Sequence, residues 1–290
     1  MRIVVTGATG FIGRSLCPVL AARGHEVVGL ERGATGDLST FAEWLRVLSG
    51  ADAVVHLAAI AHRRGVDEER LRAVNLGVPT ALGRAAAAAG MRLLFMSSVK
   101  VHGEETGSHA LDESSPFASA DAYGRAKADA EIALHSIDGL KLTVIRPPLV
   151  YGPGVKANFL SLMSAVARGW PLPFASIANR RSLIYSGNLA DAVVRCLEAP
   201  QAVGKTYLVG DGSVLSTPAL CRALSVALGV PARLFSFPVA WIELVAPLRK
   251  LTRSLQVDDG AIRRDLAWVP PHSVEQGLRV TAAWFRGQGC

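Results

Sequence analysis

Tyr123 and Lys127 place a phenol and an ammonium four residues apart, in a stretch whose pattern reads as helix. That spacing puts both side chains on one helix face, where they can converge on one point. An ammonium beside a phenol favours the phenolate and lowers a pKa that otherwise lies near ~10, so the tyrosine becomes an acid/base usable near neutral pH. Such pairs also arise by chance on surface helices. Here two further features precede the pair in order: a glycine-rich turn, Thr6-Gly7-Ala8-Thr9-Gly10-Phe11-Ile12-Gly13, and Ser97-Ser98 closing an apolar strand. Together the three point to redox chemistry with a nicotinamide dinucleotide.

Positioning these groups requires strands that end side by side. Strand patterns run over Ile3–Thr6, Glu26–Leu30, Ala53–Leu57, Leu93–Ser97 and Leu142–Arg146, with helical patterns at Phe11–Arg23, Thr40–Leu48, Glu68–Ala89 and Ala122–Ser136. Apolar strands alternating with helices predict an α/β fold with a doubly wound parallel sheet, which binds ligands at the carboxyl ends of its strands. After Pro147-Pro148 the rhythm loosens, and helices are expected at Asn158–Arg168, Asn188–Glu198, Thr217–Leu228 and Ser273–Arg286. The reading is a dinucleotide-binding domain over 1–153, joined by a return contribution from about 183–209, and a smaller mixed α/β substrate-binding lobe over 154–290.

The glycine turn follows the first strand and opens a helix. Gly7, Gly10 and Gly13 let the backbone approach a pyrophosphate, whose charge meets the helix amino terminus, while Thr9, Phe11 and Ile12 complete the cradle. Glu31 ends the second strand, 18 positions after Gly13. A carboxylate there accepts hydrogen bonds from the adenosine ribose hydroxyls and repels a 2′-phosphate, favouring NAD over NADP. Arg32 follows and is suited to that phosphate instead, so NADP stays open. Asp37 and Leu38 are placed for the adenine edge, although Asp37 serves equally well as a helix cap. Leu57, Ala58 and Ala59 close the third strand with residues that admit a flat ligand. Asn75 lies in an apolar helical stretch, and a buried amide there either contacts the cofactor or bridges backbone groups.

The remaining composition narrows the class. The chain has 290 residues, 50% of them hydrophobic, which excludes disorder. No apolar run approaches the ~20 residues that cross a bilayer, and the first strand leaves no room for a secretory signal. Cys17, Cys196, Cys221 and Cys290 lack close spacing, so neither a metal site nor a disulfide frame is expected, and a cytoplasmic location is. The net charge of +7 comes without a dense basic run, so no nucleic-acid or membrane partner is expected; it suits small anionic substrates.

In these motifs the chain resembles the extended short-chain dehydrogenase/reductases, in their nucleotide-sugar epimerase/dehydratase branch. The resemblance rests on the glycine turn, His56-Leu57-Ala58-Ala59, Ser97-Ser98-Val99-Lys100-Val101-His102-Gly103, Tyr123-x-x-x-Lys127, and Arg146-Pro147-Pro148-Leu149-Val150-Tyr151-Gly152-Pro153. It implies a Rossmann-type domain, a smaller nucleotide-sugar lobe, bound NAD(P) with Pro147 beside it, and a homodimer. The dimer would form through the helices carrying Asn75 and Tyr123, where Ala122, Ala126 and Ala130 permit close approach. It also implies that Ser98 hydrogen-bonds the reacting sugar oxygen, that Tyr123 is the catalytic acid/base, and that Lys127 binds the nicotinamide ribose and tunes the tyrosine. In the substrate lobe Asn158 and Arg181 match residues that hold the diphosphate.

The departures select among reactions. The family's 4,6-dehydratases place Asp-Glu directly after the catalytic Ser/Thr; here Val99 and Lys100 stand there, which argues against dehydration. Lys100 is close enough to touch substrate, with a solvated lysine as the plain reading, and His102 replaces a usual tyrosine without evident consequence. What remains is C4 redox chemistry on a UDP-sugar. A UDP-glucose or UDP-N-acetylhexosamine 4-epimerase is expected first, a reductase of a UDP-4-keto sugar in surface-polysaccharide synthesis second, and a non-catalytic NAD(P)-sensing protein third.

Overall fold

A computed structural model of the chain describes residues 1–31, 44–61 and 67–288. Its strands are β1 (Arg2–Thr6), β2 (Glu26–Leu30), β3 (Ala53–His56), β4 (Arg92–Met96), β5 (Lys141–Arg146), β6 (Leu149–Tyr151), β7 (Arg181–Tyr185), β8 (Lys205–Leu208) and β9 (Val214–Leu215). The helices are α1 (Phe11–Ala22), α2 (Trp44–Val47), α3 (Glu68–Arg72), α4 (Val78–Ala88), α5 (Ala122–His135), α6 (Ala157–Ala167), α7 (Ser186–Glu198), α8 (Thr217–Leu228), α9 (Val239–Glu243), α10 (Ala246–Thr252), α11 (Gly260–Leu266) and α12 (Val274–Gly287).

The large sheet has the order β2-β1-β3-β4-β5-β8, all parallel. Its strands are apolar on both faces because helices cover both. In β1, Ile3 and Val5 pack with Leu16 and Leu20 of α1 and with α7, whereas Val4 packs with Leu82 and Ala86 of α4 and Leu134 of α5. The second strand set, β6-β7-β9, is small and mixed, with β6 parallel and β9 antiparallel to β7. It carries the lobe's own core, including Tyr151, Phe159, Met163, Leu224 and Leu278. The chain crosses back after β7, so α7 packs on α1 and β8 closes the large sheet at the far edge.

Three elements differ from the sequence reading. The helix expected over Glu68–Ala89 is split by a π-helical turn, Ala73–Gly77, between α3 and α4. The cause is local: Asn75 turns inward and is fully buried, and the wider turn lets its amide bond backbone elsewhere. Helix α6 runs over Ala157–Ala167 rather than Asn158–Arg168, with Lys156 at its cap, so Asn158 lies inside the first turn. The short helices α9, α10 and α11 have no counterpart in the sequence reading, since each is too brief for periodicity to register.

The turn between β1 and α1 is packed to contact. A Cβ on Gly13 would lie 2.3 Å from the Ala8 carbonyl oxygen and 2.4 Å from that of Gly7. Gly13→Ala should therefore lower stability by roughly 1–3 kcal/mol. Urea unfolding should show an earlier midpoint at an unchanged slope; an unchanged midpoint would mean that the turn relaxes freely.

Candidate active site

The in-register strand ends place the motifs along one edge. Thr6 pairs with Leu30 and with His56, His56 with Phe95, and Met96 with Ile145. The residues that follow, Glu31, Gly7, Leu57, Ser97 and Pro147, therefore leave the sheet at its carboxyl edge. Gly7 adopts φ +72°, and a Cβ there would lie 2.9 Å from the Ala58 nitrogen, so the glycine turn is pressed against the loop after β3. Gly10 precedes α1 and no side chain caps the amides of its first turn. Uncapped amides at this end, with the carboxylate of Glu31 one strand away, fit a dinucleotide whose pyrophosphate meets the helix. Arg32, Asp37 and Leu38 lie outside the described residues. Thr9 accepts a hydrogen bond from Arg14 Nε through its carbonyl, at 2.9 Å. Ile12 packs into the core beneath the sheet, and Phe11 packs against the small-lobe core, so it joins the two halves as well as flanking the turn.

Asn75 requires a correction. Its Oδ1 accepts from the Ile60 amide and its Nδ2 donates to the Ile60 carbonyl, both at 2.9 Å. Both polar groups are thus directed to backbone, and Asn75 acts by fixing the loop that carries Leu57, Ala58 and Ala59 rather than as a direct cofactor ligand. His56 is fully buried, its Nδ1 lies 2.8 Å from Thr6 Oγ1, and its Nε2 has no hydrogen-bond partner among the described residues. Burial, reinforced by the charge of Lys127, pulls its pKa down to about 3, so the ring is neutral.

Ser98 caps the 3₁₀ turn Val99–His102, its Oγ accepting from the Lys100 amide at 3.2 Å. This turn meets the start of α5 at Gly124, where a Cβ would lie 2.7 Å from the Lys100 carbonyl oxygen and clash with Ser119. Glycine directly after Tyr123 is what lets the start of α5 pack against the turn that Ser98 caps. Asp121 caps α5 by accepting from the Gly124 amide at 2.7 Å, and its other oxygen receives Lys100 Nζ. Lys100 also pairs with Glu104 at 2.9 Å. Burial opposes its charge, but the hydrogen bonds to Asp121 and Glu104 outweigh burial and raise its pKa. Lys100 is therefore an anchored cation beside Tyr123, with Nζ 6.0 Å from the ring centroid, and not a solvated one.

Lys127 is buried, donates to the Met96 carbonyl at 2.9 Å, and holds Nζ 4.4 Å from the Phe95 ring centroid. Burial drives its pKa down to about 7, against the charge of Glu131. Burial also pushes Tyr123 up to about 12, with the Asp121 carboxylate adding to it. The expected depression of the phenol by its lysine neighbour is thus absent in this state, because desolvation dominates and the ammonium is turned toward Met96.

One turn further along the same face, Glu131 is fully buried and receives Ser97 Oγ. Arg146 donates to both its oxygens, at 3.1 Å from Nε and 2.6 Å from a terminal nitrogen. Arg146 also contacts His102 Nε2 at 3.0 Å, and His102 Nδ1 lies 3.1 Å from the Pro116 carbonyl. Burial, with the Arg146 charge adding, pulls the His102 pKa below its usual value, so this ring acts as a neutral bridge. Sequence reasoning missed the set. The signal available was the repeat of Tyr123, Lys127 and Glu131 at four-residue spacing.

In the small lobe Asn158 and Arg181 line one pocket, with Lys250 and Leu251 of α10 and the apolar wall of Leu149, Phe159 and Leu220. Ala157, just before Asn158, adopts φ +54°, a strained position for a residue with a Cβ. Arg181 donates to the carbonyls of Lys250 and Arg253 at 2.8 and 2.9 Å. Asn179, another residue missed from sequence, bonds the Thr217 amide and the carbonyls of Leu251 and Arg253. Lys250 Nζ lies 2.7 Å from Glu104, the carboxylate that also holds Lys100. The pocket wall and the catalytic turn are thus joined by one ionic bridge.

The model of the family described as "NAD dependent epimerase/dehydratase family" matches residues 3–210. A UDP-glucose 4-epimerase of Vibrio cholerae is 36% identical, covering 98% of this chain and 95% of that protein. A 2-alkyl-3-oxoalkanoate reductase of Stenotrophomonas maltophilia is 28% identical, covering 96% and 98%. Among solved structures, the UDP-glucuronic acid 4-epimerase of Bacillus cereus in complex with NAD superposes with a TM-score of 0.81 at 22% identity, covering 99% of each chain.

The depressed pKa of Lys127 has a stability consequence. Below about pH 7 the side chain is protonated in both folded and unfolded chains; between that pH and its unfolded value near ~10.4 only the unfolded chain keeps the proton. Stability contributed at this position should therefore rise with pH over that window. Urea unfolding without added cofactor should show wild type gaining on Lys127→Met as pH rises from neutral to alkaline. Parallel curves would contradict a depressed lysine.

Proposed function

Because the chain belongs to the NAD dependent epimerase/dehydratase family, we propose that it interconverts C4 epimers of a UDP-hexose or UDP-N-acetylhexosamine. What supports this reading is that Lys127 reaches the Met96 carbonyl at the end of β4, two positions before Ser98, and that Tyr123, on the same helix, lies beside Lys100 of the turn that Ser98 caps. When bound, NAD would supply the hydride acceptor and donor for C4, and its cationic ring would favour phenolate on Tyr123. Gly7, Gly10 and Gly13 would hold its pyrophosphate and Glu31 its adenosine ribose. Tyr123 takes the C4 hydroxyl proton and gives it back, while Ser98 supports the charge growing on the C4 oxygen. Arg181, Lys250 and Asn158 suit an anionic diphosphate, Arg181 through its planar fork. Val99 is buried and Lys100 ion-paired, so neither supplies the carboxyl chemistry of dehydration.

A second reading, a reductase of a UDP-4-keto sugar, uses the same three residues, and the 28% identical reductase favours keeping it. Gel filtration separates the two. NAD(H) carried through the column with epimerisation of UDP-glucose or UDP-N-acetylglucosamine supports the epimerase, whereas cofactor-free protein that oxidises added NADH with a 4-keto sugar supports the reductase. Cofactor binding without turnover on any UDP-, GDP- or dTDP-sugar would leave only a sensing role.

Tyr123→Phe should lower turnover by ~10²–10⁴-fold and leave NAD binding nearly unchanged, as titration of each protein with NAD would show. Activity within a few-fold of wild type would remove Tyr123 from the mechanism. Arg181→Ala should raise KM by about 10–150-fold, the loss of a charged hydrogen bond, with little effect on bound cofactor. A normal KM with a lower melting temperature would instead leave Arg181 as a clamp on α10. We also propose a homodimer through α4 and α5. Ala126 and Ala130 are already buried within the chain, so they do not supply the contact; Ile132 of α5 is an exposed large apolar residue available there. Light scattering that gives a monomer of 30.6 kDa at micromolar concentration would reject the dimer.

A further inference from the structure

The small lobe exposes an aromatic surface that the site does not use. Trp170, Phe235, Phe237, Trp241, Leu244 and Val245 are 54, 45, 40, 64, 77 and 48% exposed. They belong to two segments that are joined by backbone. The Leu172 amide bonds the Arg233 carbonyl at 2.8 Å and the Phe235 amide bonds the Leu172 carbonyl at 3.0 Å. Phe235 and Phe237 meet edge to face at 6.4 Å. Helix α9 buries Ile242 on one side and still presents Trp241, so it is apolar on more than its core face. Isolated exposed apolar residues are ordinary, but a group of large ones in adjoining segments marks a contact surface.

The charge around the group says what the contact is. Arg168, Arg233 and Arg249 are all exposed, and Arg168 lies 5.6 Å from the Trp170 ring centroid. The carboxylate among them, Glu243, is engaged by Arg253 and by Thr252. The whole chain carries +7. Aromatic and aliphatic side chains with exposed cations in the same stretches of chain are the chemistry of a surface that lies in the headgroup layer of an anionic bilayer.

We propose that the Trp170 and Phe235–Val245 surface docks the protein peripherally on anionic membranes. This revises the expectation of no membrane partner without invoking a spanning segment: among the described residues no helix is long and apolar enough to cross. The patch runs directly into α10, whose Lys250 and Leu251 line the substrate pocket. Docking thus brings one wall of that pocket next to the headgroups.

Vesicle co-sedimentation of the full chain tests the proposal. Wild type should pellet with vesicles of equal parts phosphatidylcholine and phosphatidylglycerol at low salt, less with phosphatidylcholine alone, and less again as salt screens the cations. The double variant Trp241→Ser/Leu244→Ser, with melting temperature matched to wild type, should partition at least roughly tenfold more weakly. Arg168→Glu/Arg249→Glu, which leaves every apolar side chain in place, should lose the preference for phosphatidylglycerol. Three results would each overturn the proposal: wild type that stays in solution with the mixed vesicles, either variant pelleting as wild type does, or wild type that ignores vesicles while the apolar double variant lowers its mass in light scattering. The last would assign the surface to a second copy of the chain.

Discussion

The ion pair between Arg146 and Glu131 is the constraint on which the candidate site rests. Both are nearly inaccessible, at 5% and 0% exposed, and a buried charge left alone is far costlier than one that is paired. The guanidinium and carboxylate therefore have to meet, and they sit on different elements, β5 and α5. Their meeting sets the position of α5 against the sheet. Ser97 adds its hydroxyl to the same carboxylate, which ties the end of β4 to the helix, and Lys127 adds a bond to the Met96 carbonyl. Lys100 and Asp121 make a further tie beyond it. Ser98 and Tyr123 are held from both sides by contacts that neither of them makes. His102, at the other side of Arg146, satisfies a remaining guanidinium hydrogen through a neutral ring, which keeps the buried set at one positive and one negative charge.

The small lobe solves a different problem, namely how to keep polar groups near an apolar pocket without leaving them unpaired. Asn179, Thr217 and Arg181 together collect the carbonyls at the end of α10, where the helix has no further amides to bond them. The segment that forms the pocket wall is thereby fastened by side chains from β7 and its approach and from α8. Glu104 then links this wall to the catalytic turn through Lys250 and Lys100. Partial burial opposes ionisation of Glu104, but hydrogen bonds from both ammonium groups outweigh it and hold the carboxyl below its usual range. Substrate lobe and redox site are joined electrostatically as well as through the packing of Phe11.

Much of this was legible in the chain, and the reason is locality. The strands β1 to β5 are short apolar runs bounded by turn residues, and the glycine turn, Ser98 and the Tyr123/Lys127 pair are motifs whose spacing states their chemistry. The parallel sheet and its ligand-binding edge follow from alternating strand and helix patterns, whereas the strand order came from the fold. Asn158 and Arg181 were recognisable only through resemblance to a family, because nothing in their local spacing names a ligand. Asn75 was placed correctly as buried, yet its partner, Ile60, lies fifteen positions away in a loop and decides its role.

What the sequence by itself determined, then, is the α/β architecture and the placing of the glycine turn and the candidate Tyr123/Lys127 pair, since these depend on residue type and on neighbours within a turn or a strand. The tertiary structure alone decided the charge states and the ties. The burial that raises Tyr123 and lowers Lys127, the union of Glu131 with Arg146, and the bridge from Lys100 to Lys250 all arise between residues distant in sequence. Desolvation and pairing are properties of the surroundings that a folded chain assembles, and no local pattern of residues carries them.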